Sequence, residues 1–170
     1  MILIDPNLSK NIVENLKEVI IPADNVVYLY DFNSLIHGLL VLNQVDYSMI
    51  PVVNQNGQIV GLVSINMIVK EAITLEDIDF DNLNYKLIKH LDLRKPEFIT
   101  MNEKLESILH KLVDNNFLCV VENHIEKKFI GIITRNMILK RINAFLHRTS
   151  LKELRVSNFQ QGREKKLINK

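Results

Sequence analysis

Two stretches of this chain, GLVSINMIVK (residues 61–70) and GIITRNMILK (residues 131–140), are near copies set 70 residues apart. The same offset lays Leu35, Leu39 and Leu42 on Leu105, Leu109 and Leu112. It lays Ser64, Asn66, Met67, Ile68 and Lys70 on Thr134, Asn136, Met137, Ile138 and Lys140, and it sets Tyr47 on Phe117 and Ile50 on Val120 with no gap. Helix leucines, a strand aromatic and a turn glycine in one register mark an internal duplication. A single unit of this size buries too little apolar surface to stand alone, so the copies must pack together. The full length of 170 residues suits one domain or two small ones with a shared core.

Each copy has the same coarse pattern. Leu35, Leu39 and Leu42, with Ile36 and Leu40 between them, have helical spacing behind Asn33 or Ser34 as a cap. SMIPVV (48–53) is short and branched, as a strand is. Asn56-Gly57 signals a hairpin into QIVGLV (58–63), and Ser64 caps a second helix that runs to about Thr74. The second copy gives a strand at PEFIT, a helix over 103–115, strands FLCVV and KFIGII joined through ENHIEK, and a helix capped by Thr134 that ends near residue 146. Residues 7–18 read as a lead-in helix, and the acidic TLEDIDFDNL (74–83) joins the copies.

Composition removes several function classes. No segment approaches 18 consecutive apolar residues, so no membrane span is expected. The N-terminal MILIDPNLSK lacks the basic start and apolar run of a secretory signal. Cys119 is the lone cysteine, which excludes an internal disulfide and points to a reducing cytoplasm. From residue 147 onward seven Lys/Arg stand against two Glu, a formal +5 on a chain whose total is +1, so residues 1–146 carry −4. A basic tail on an acidic body reads as a frayed helix extension or an interaction arm. With one aromatic, Phe159, and no motif, it gives little support to nucleic-acid binding.

No catalytic or metal constellation stands out. Asp77, Asp79 and Asp81 open like a calcium loop, but Asn82 occupies the sixth position and Ile88 the twelfth. His37, His90, His110, His124 and His147 have no ligand spacing with one another or with Cys119. Cys119 lies in an apolar strand and reads as a buried thiol. Ser64 and Thr134 lack a nucleophile-elbow setting, and phosphate-binding glycine loops are absent from the sequence. The chain is therefore expected not to be an enzyme.

Thr134 and Arg135 give a different signal. A Thr ahead of a helix caps its amides, and the positive end of the helix dipole favours a phosphate. Arg135 beside it can donate to a phosphate oxygen. As a basic residue in a first turn it opposes its own helix dipole, which makes a purely stabilising role a poor explanation. Tyr47, at the head of a strand, could stack on a purine for about 1–3 kcal/mol. On the residues alone, a core or edge aromatic explains it equally well.

The twofold strand–strand–helix ending in Gly, two apolar residues and a Ser or Thr resembles a tandem pair of CBS domains, a Bateman module, over roughly residues 18–147. The stretches IIPADNVVYLY, LIHGLLVLNQVDYSMIPVV, GLVSINMIV and GIITRNMILK are similar to the small stand-alone CBS pairs of Gram-positive bacteria that bind cyclic di-AMP. The resemblance implies an α+β (α/β) fold of two units, each a three-stranded sheet packed with two helices, related by a pseudo-twofold. The expected boundaries are 1–17 for the lead-in helix, 18–75 for unit one, 76–84 for the linker, 85–147 for unit two and 148–170 for the tail.

It further implies a cytoplasmic second-messenger receptor without catalytic residues, cofactor or metal. Such a receptor is a homodimer that acts on a regulated protein, among them a stringent-response synthetase/hydrolase. The implied ligand site comprises Asn25, Val27, Tyr47, Ser48, Met49, Ile50, Thr134, Arg135 and Asn136. Two positions depart from the family pattern: Asn25 stands where a Lys is common, and Asn136 where a second Arg is. Each lost charged contact is worth about 1.5–3 kcal/mol, which leaves open a ligand-free interaction module. CBS domains that hold AMP or ATP usually have an Asp three residues after the Ser or Thr. Met67 and Met137 occupy those places, and a thioether is a poor acceptor for a ribose diol, which weighs against an AMP/ATP sensor.

Overall fold

The computed structural model of the chain describes residues 16–73 and 79–147. Most of the lead-in helix expected at 7–18, part of the acidic linker and the basic tail lie outside these residues. The elements run α1 (Leu16–Val19), β1 (Ile21–Pro22), a 3-10 turn at Ala23–Asn25, β2 (Leu29–Tyr30), α2 (Leu35–Leu42), β3 (Ile50–Val53), β4 (Ile59–Val63) and α3 (Ile65–Ala72). After the linker come α4 (Asn82–Tyr85), a 3-10 turn at Ile88–His90, β5 (Phe98–Ile99), α5 (Leu105–Asp114), β6 (Phe117–Val121), β7 (Phe129–Thr134) and α6 (residues 135–147).

Each unit is the expected strand–helix–strand–strand–helix. β2 pairs parallel with β3, and β3 antiparallel with β4. β5 pairs parallel with β6, and β6 antiparallel with β7. The first strand crosses over: β1 adds to the far side of β7, through Ile21 against Ile132 and Pro22 against Gly131. The second unit's sheet is therefore four-stranded, in the order β1-β7-β6-β5, and the first is three-stranded.

The central strands β3 and β6 are buried on both faces, and the sheet side chains alternate between two cores. On one face, Ile50 and Val52 of β3 meet Leu35, Leu42 and Ile68 of the first unit's helices. Leu118 and Val120 of β6 likewise meet Leu105, Ile108 and Ile138. The opposite faces meet each other: Ile59 and Leu62 of β4 pack with Cys119 and Val121 of β6, closed by Met49, Phe98, Phe117 and Phe129. This shared third core is how two undersized units stabilise one another. Backbone bonds across the hairpins reinforce it, from Ile59 N–H to the Lys127 carbonyl at 3.0 Å and from Phe129 N–H to the Gly57 carbonyl at 2.9 Å.

The gap-free repeat needs a correction. Val63 pairs with Ile50, while its counterpart Ile133 pairs with Leu118. Ile50 therefore corresponds to Leu118, not to Val120, and Met49 rather than Tyr47 corresponds to Phe117. The second copy reaches its strand two residues sooner after the helix start. It recovers them in the hairpin, where residues 122–128 replace the shorter 54–58. The copies also differ at their entry. Ile132 pairs with Ile21, whereas its counterpart Leu62 bridges Arg94, so the first copy holds three more residues before its parallel strand. The 3-10 turn Ala23–Asn25 belongs to the first copy alone.

Caps follow the sequence at three of the four helices of eight or more residues, α2, α3, α5 and α6. Ser34, Ser64 and Thr134 accept from the amides of His37, Met67 and Met137 at 3.3, 3.4 and 3.3 Å. At α5 the N-cap is Lys104, without a side-chain bond. The Asn56-Gly57 hairpin forms as expected, with Gly57 at φ 73°.

Candidate functional site

A cavity of about 690 Å³ opens between the extra turn of the first copy and the start of α6. That volume falls inside the range of small-ligand pockets. Ile21, Asn25, Val26 and Val27 form one wall, and Asp46, Tyr47, Met49, Ile50 and Pro51 form the second. Asn116 and Phe117 at the head of β6, Ile132 and Thr134 of β7, and Arg135, Asn136, Met137 and Lys140 of α6 close it. Eight of the nine residues expected in a ligand site line this one cavity. The ninth, Ser48, is exposed and lies outside the lining.

The walls have distinct origins. Pro22 enters the 3-10 turn with extended backbone, and the Val26 amide closes it onto the Ala23 carbonyl at 3.0 Å. The turn carries Asn25 and Val27 outward to the rim. Ile50, almost fully buried, gives the floor, and Tyr47, about half exposed, stands at the mouth. Met49 reaches toward the shared core, where Arg94 Nη1 lies 3.8 Å from its sulfur.

At the opposite end, Thr134 finishes β7 and caps α6. The amide of Arg135 is taken by the Asn116 carbonyl at 2.9 Å and that of Met137 by Thr134 Oγ1. Asn136 follows in the first turn of α6, whose amides find no partner within a helix, and it lines the cavity at the positive end of the helix dipole. The Arg135 side chain is more committed than expected. Its Nε donates to the Leu112 carbonyl at 2.8 Å, and its Nη2 to the carbonyls of Val113 at 3.0 Å and Asn115 at 3.1 Å. It thus caps the C-terminal end of α5, where a cation and spare donors are favourable. The two donors on Nη1 find no acceptor among the described residues.

Lys140, missed on the sequence, lines the cavity one helical turn after Asn136. The i, i+4 spacing on α6 was the signal that could have found it. Asp46, Asn116 and Met137 were also missed. Arg135 and Lys140 against Asp46 give the lining a formal charge of +1. Cys119 is fully buried in the shared core, and burial pushes its thiol up to about 12, so it is protonated and unreactive near neutrality.

Comparison with known proteins bears on the family and the fold. The model of the CBS domain family matches residues 16–74 and 88–144. The chain is 33% identical over 126 residues to "Cyclic di-AMP receptor B" of Bacillus subtilis (strain 168), covering 74% of this chain and 84% of that protein. The crystal structure of the Listeria monocytogenes CbpB protein in complex with c-di-AMP superposes with a TM-score of 0.69 at 34% identity, over 78% of this chain and 98% of that one. CbpB from Streptococcus agalactiae superposes with a TM-score of 0.75 at 31% identity, over 86% and 91%.

Proposed function

The chain belongs to the CBS domain family, as a tandem pair homologous to cyclic di-AMP receptor B, and from that premise we propose that it is a receptor for cyclic di-AMP. The observation that carries the reading is the gathering of eight anticipated residues around one cavity of dinucleotide-compatible size. One adenine stacks on Tyr47 between Val27 and Ile50. A phosphate meets the Asn136 amide, the Thr134 hydroxyl and the two remaining donors of Arg135, with Lys140 adding charge. Met137 in the lining offers no strong acceptor for a ribose diol, which supports the cyclic dinucleotide over AMP or ATP.

The receptor reading needs no catalytic step. Signalling follows from differential affinity: the ligand shifts partner binding only as far as the bound and free states differ in their affinity for that partner. We propose a regulated protein as partner, of the stringent-response synthetase/hydrolase class, and a cytoplasmic homodimer as the working form. None of the described helices is long and apolar enough to cross a membrane.

A second reading, an interaction module that no longer binds ligand, draws on neutral Asn25 and Asn136 and on the three carbonyl bonds of Arg135. Isothermal titration separates the two. Saturable heat with cyclic di-AMP, and much weaker heat with AMP or ATP, supports the receptor. Silence with cyclic di-AMP on the order of tens of micromolar overturns it in favour of the module.

A further inference from the structure

Between β4 of the first unit and β5 of the second lies a separate groove of about 590 Å³. It shares no lining residue with the cavity described above. Its charge is one-sided. Lys95, Lys111 and Lys127 line it against the single carboxylate of Glu97, a formal +2 in a concave surface that concentrates the field. His124 adds an imidazole, and its ring lies 5.8 Å from that of Phe98.

Two of the lysines are held in ways that ordinary surface lysines are not. Lys111 donates to the Phe98 carbonyl at 3.0 Å and lies 3.8 Å from Glu103, which fixes its stem across the groove floor. Lys127 sits at φ 54°, a left-handed conformation that disfavours any side chain and that no other non-glycine among the described residues adopts. Its backbone is pinned there. The amide donates to Asn123 at 3.1 Å, and the carbonyl accepts from Ile59 at 3.0 Å. The pinned turn carries its ammonium over the Phe98 ring, 5.1 Å from the centroid. Neither Lys95 nor Lys127 has a carboxylate partner among the described residues. Hairpins commonly place Gly or Asn at such a φ, so a lysine there spends backbone stability to hold a charge in position.

We propose that this groove binds a small organic phosphate carrying at least two negative charges. The phosphate meets Lys95 and Lys127 as point charges, with Lys111 behind them. The organic part rests on the apolar wall of Val60 and Pro96. The proposal is independent of what the larger cavity binds.

The test uses the full chain, ¹⁵N-labelled, titrated separately with inorganic phosphate, pyrophosphate and phenyl phosphate and followed by amide chemical shifts. Saturable shifts at Phe98, Lys111 and Lys127, whether or not Thr134 and Asn136 also move, are the expected result. Phenyl phosphate binding tighter than inorganic phosphate supports the apolar wall, and equal affinity overturns that part. Lys127→Gly suits the left-handed backbone, so its melting temperature should hold or rise while affinity falls about tenfold. Undiminished affinity in Lys127→Gly combined with Lys95→Ala, shifts confined to the larger cavity, or no saturation at millimolar probe overturns the site.

Discussion

The guanidinium of Arg135 donates to three carbonyl oxygens at the end of α5, belonging to residues 20 to 23 positions earlier in the chain. Reading the sequence, a basic residue in the first turn of α6 looks misplaced. The local argument is sound, since it does oppose that helix's dipole. The compensating contact is tertiary, and no local pattern contains it. The capping hydroxyls of Ser34, Ser64 and Thr134 were legible because donor and acceptor lie three residues apart. The dual position of Arg135 makes a definite prediction. Arg135→Ala should lower stability by about 1.5–3 kcal/mol in urea unfolding, because the end of α5 loses its charged donor. Lys keeps the charge but cannot reproduce the fork, so Arg135→Lys should recover only part of the loss. If both variants unfold at the wild-type midpoint, the bonds to α5 carry no net stability and the side chain is free for ligand alone.

Elements reveal where the duplication misleads. The apolar runs SMIPVV and FLCVV slide past one another by two residues without moving any side chain to the wrong face, because strand alternation has a period of two. An even slip is therefore invisible to hydrophobic pattern, and a two-residue deletion before β6 is hidden by a two-residue insertion after it. The glycines shared by the two copies, read from the sequence as turn glycines, lie instead inside β4 and β7, where each allows a close approach. A Cβ on Gly131 would collide with the Ile21 carbonyl oxygen, and one on Gly61 with the Leu93 side chain. These positions are counterparts in the two copies, yet only Gly131 touches the strand that leads into the turn Ala23–Asn25. Gly131→Ala should displace β1, cost about 1–3 kcal/mol and weaken cyclic di-AMP binding by moving the Asn25 wall. Gly61→Ala should cost stability too, with affinity nearly intact. Thermal melts and calorimetric titrations of the pair check this, and equal effects on affinity would show that β1 does not shape the cavity.

At the scale of the whole molecule, the sheets and their shared core leave the helices as an outer layer, and that layer is not fully polar. Leu40 of α2, Val113 of α5 and Leu139 of α6 are each at least half exposed, as is Ile73 just after α3. Leu109, Leu112, Val113, Ile138 and Leu139 surround a shallow groove of about 330 Å³ between α5 and α6. Large apolar side chains on three helices and at the end of a fourth, drawn from both units, form more unpartnered surface than scattered exposed residues explain. A second copy related by a twofold axis would present the same set in return, so each apolar helix face would find a self-complementary partner. We therefore expect a homodimer through this layer, distinct from the ligand cavity on the opposite wall of α6. Val113→Glu with Leu139→Glu places four carboxylates in such an interface and should yield monomers in sedimentation velocity, at concentrations where the wild type sediments as a dimer. Because Arg135 borders both the groove and the cavity, cyclic di-AMP should bind dimer and monomer with different affinities, and the ligand should shift the dimerisation constant by the same factor. A double variant that remains dimeric would place the interface elsewhere, and a dimerisation constant unmoved by saturating ligand would uncouple the two surfaces.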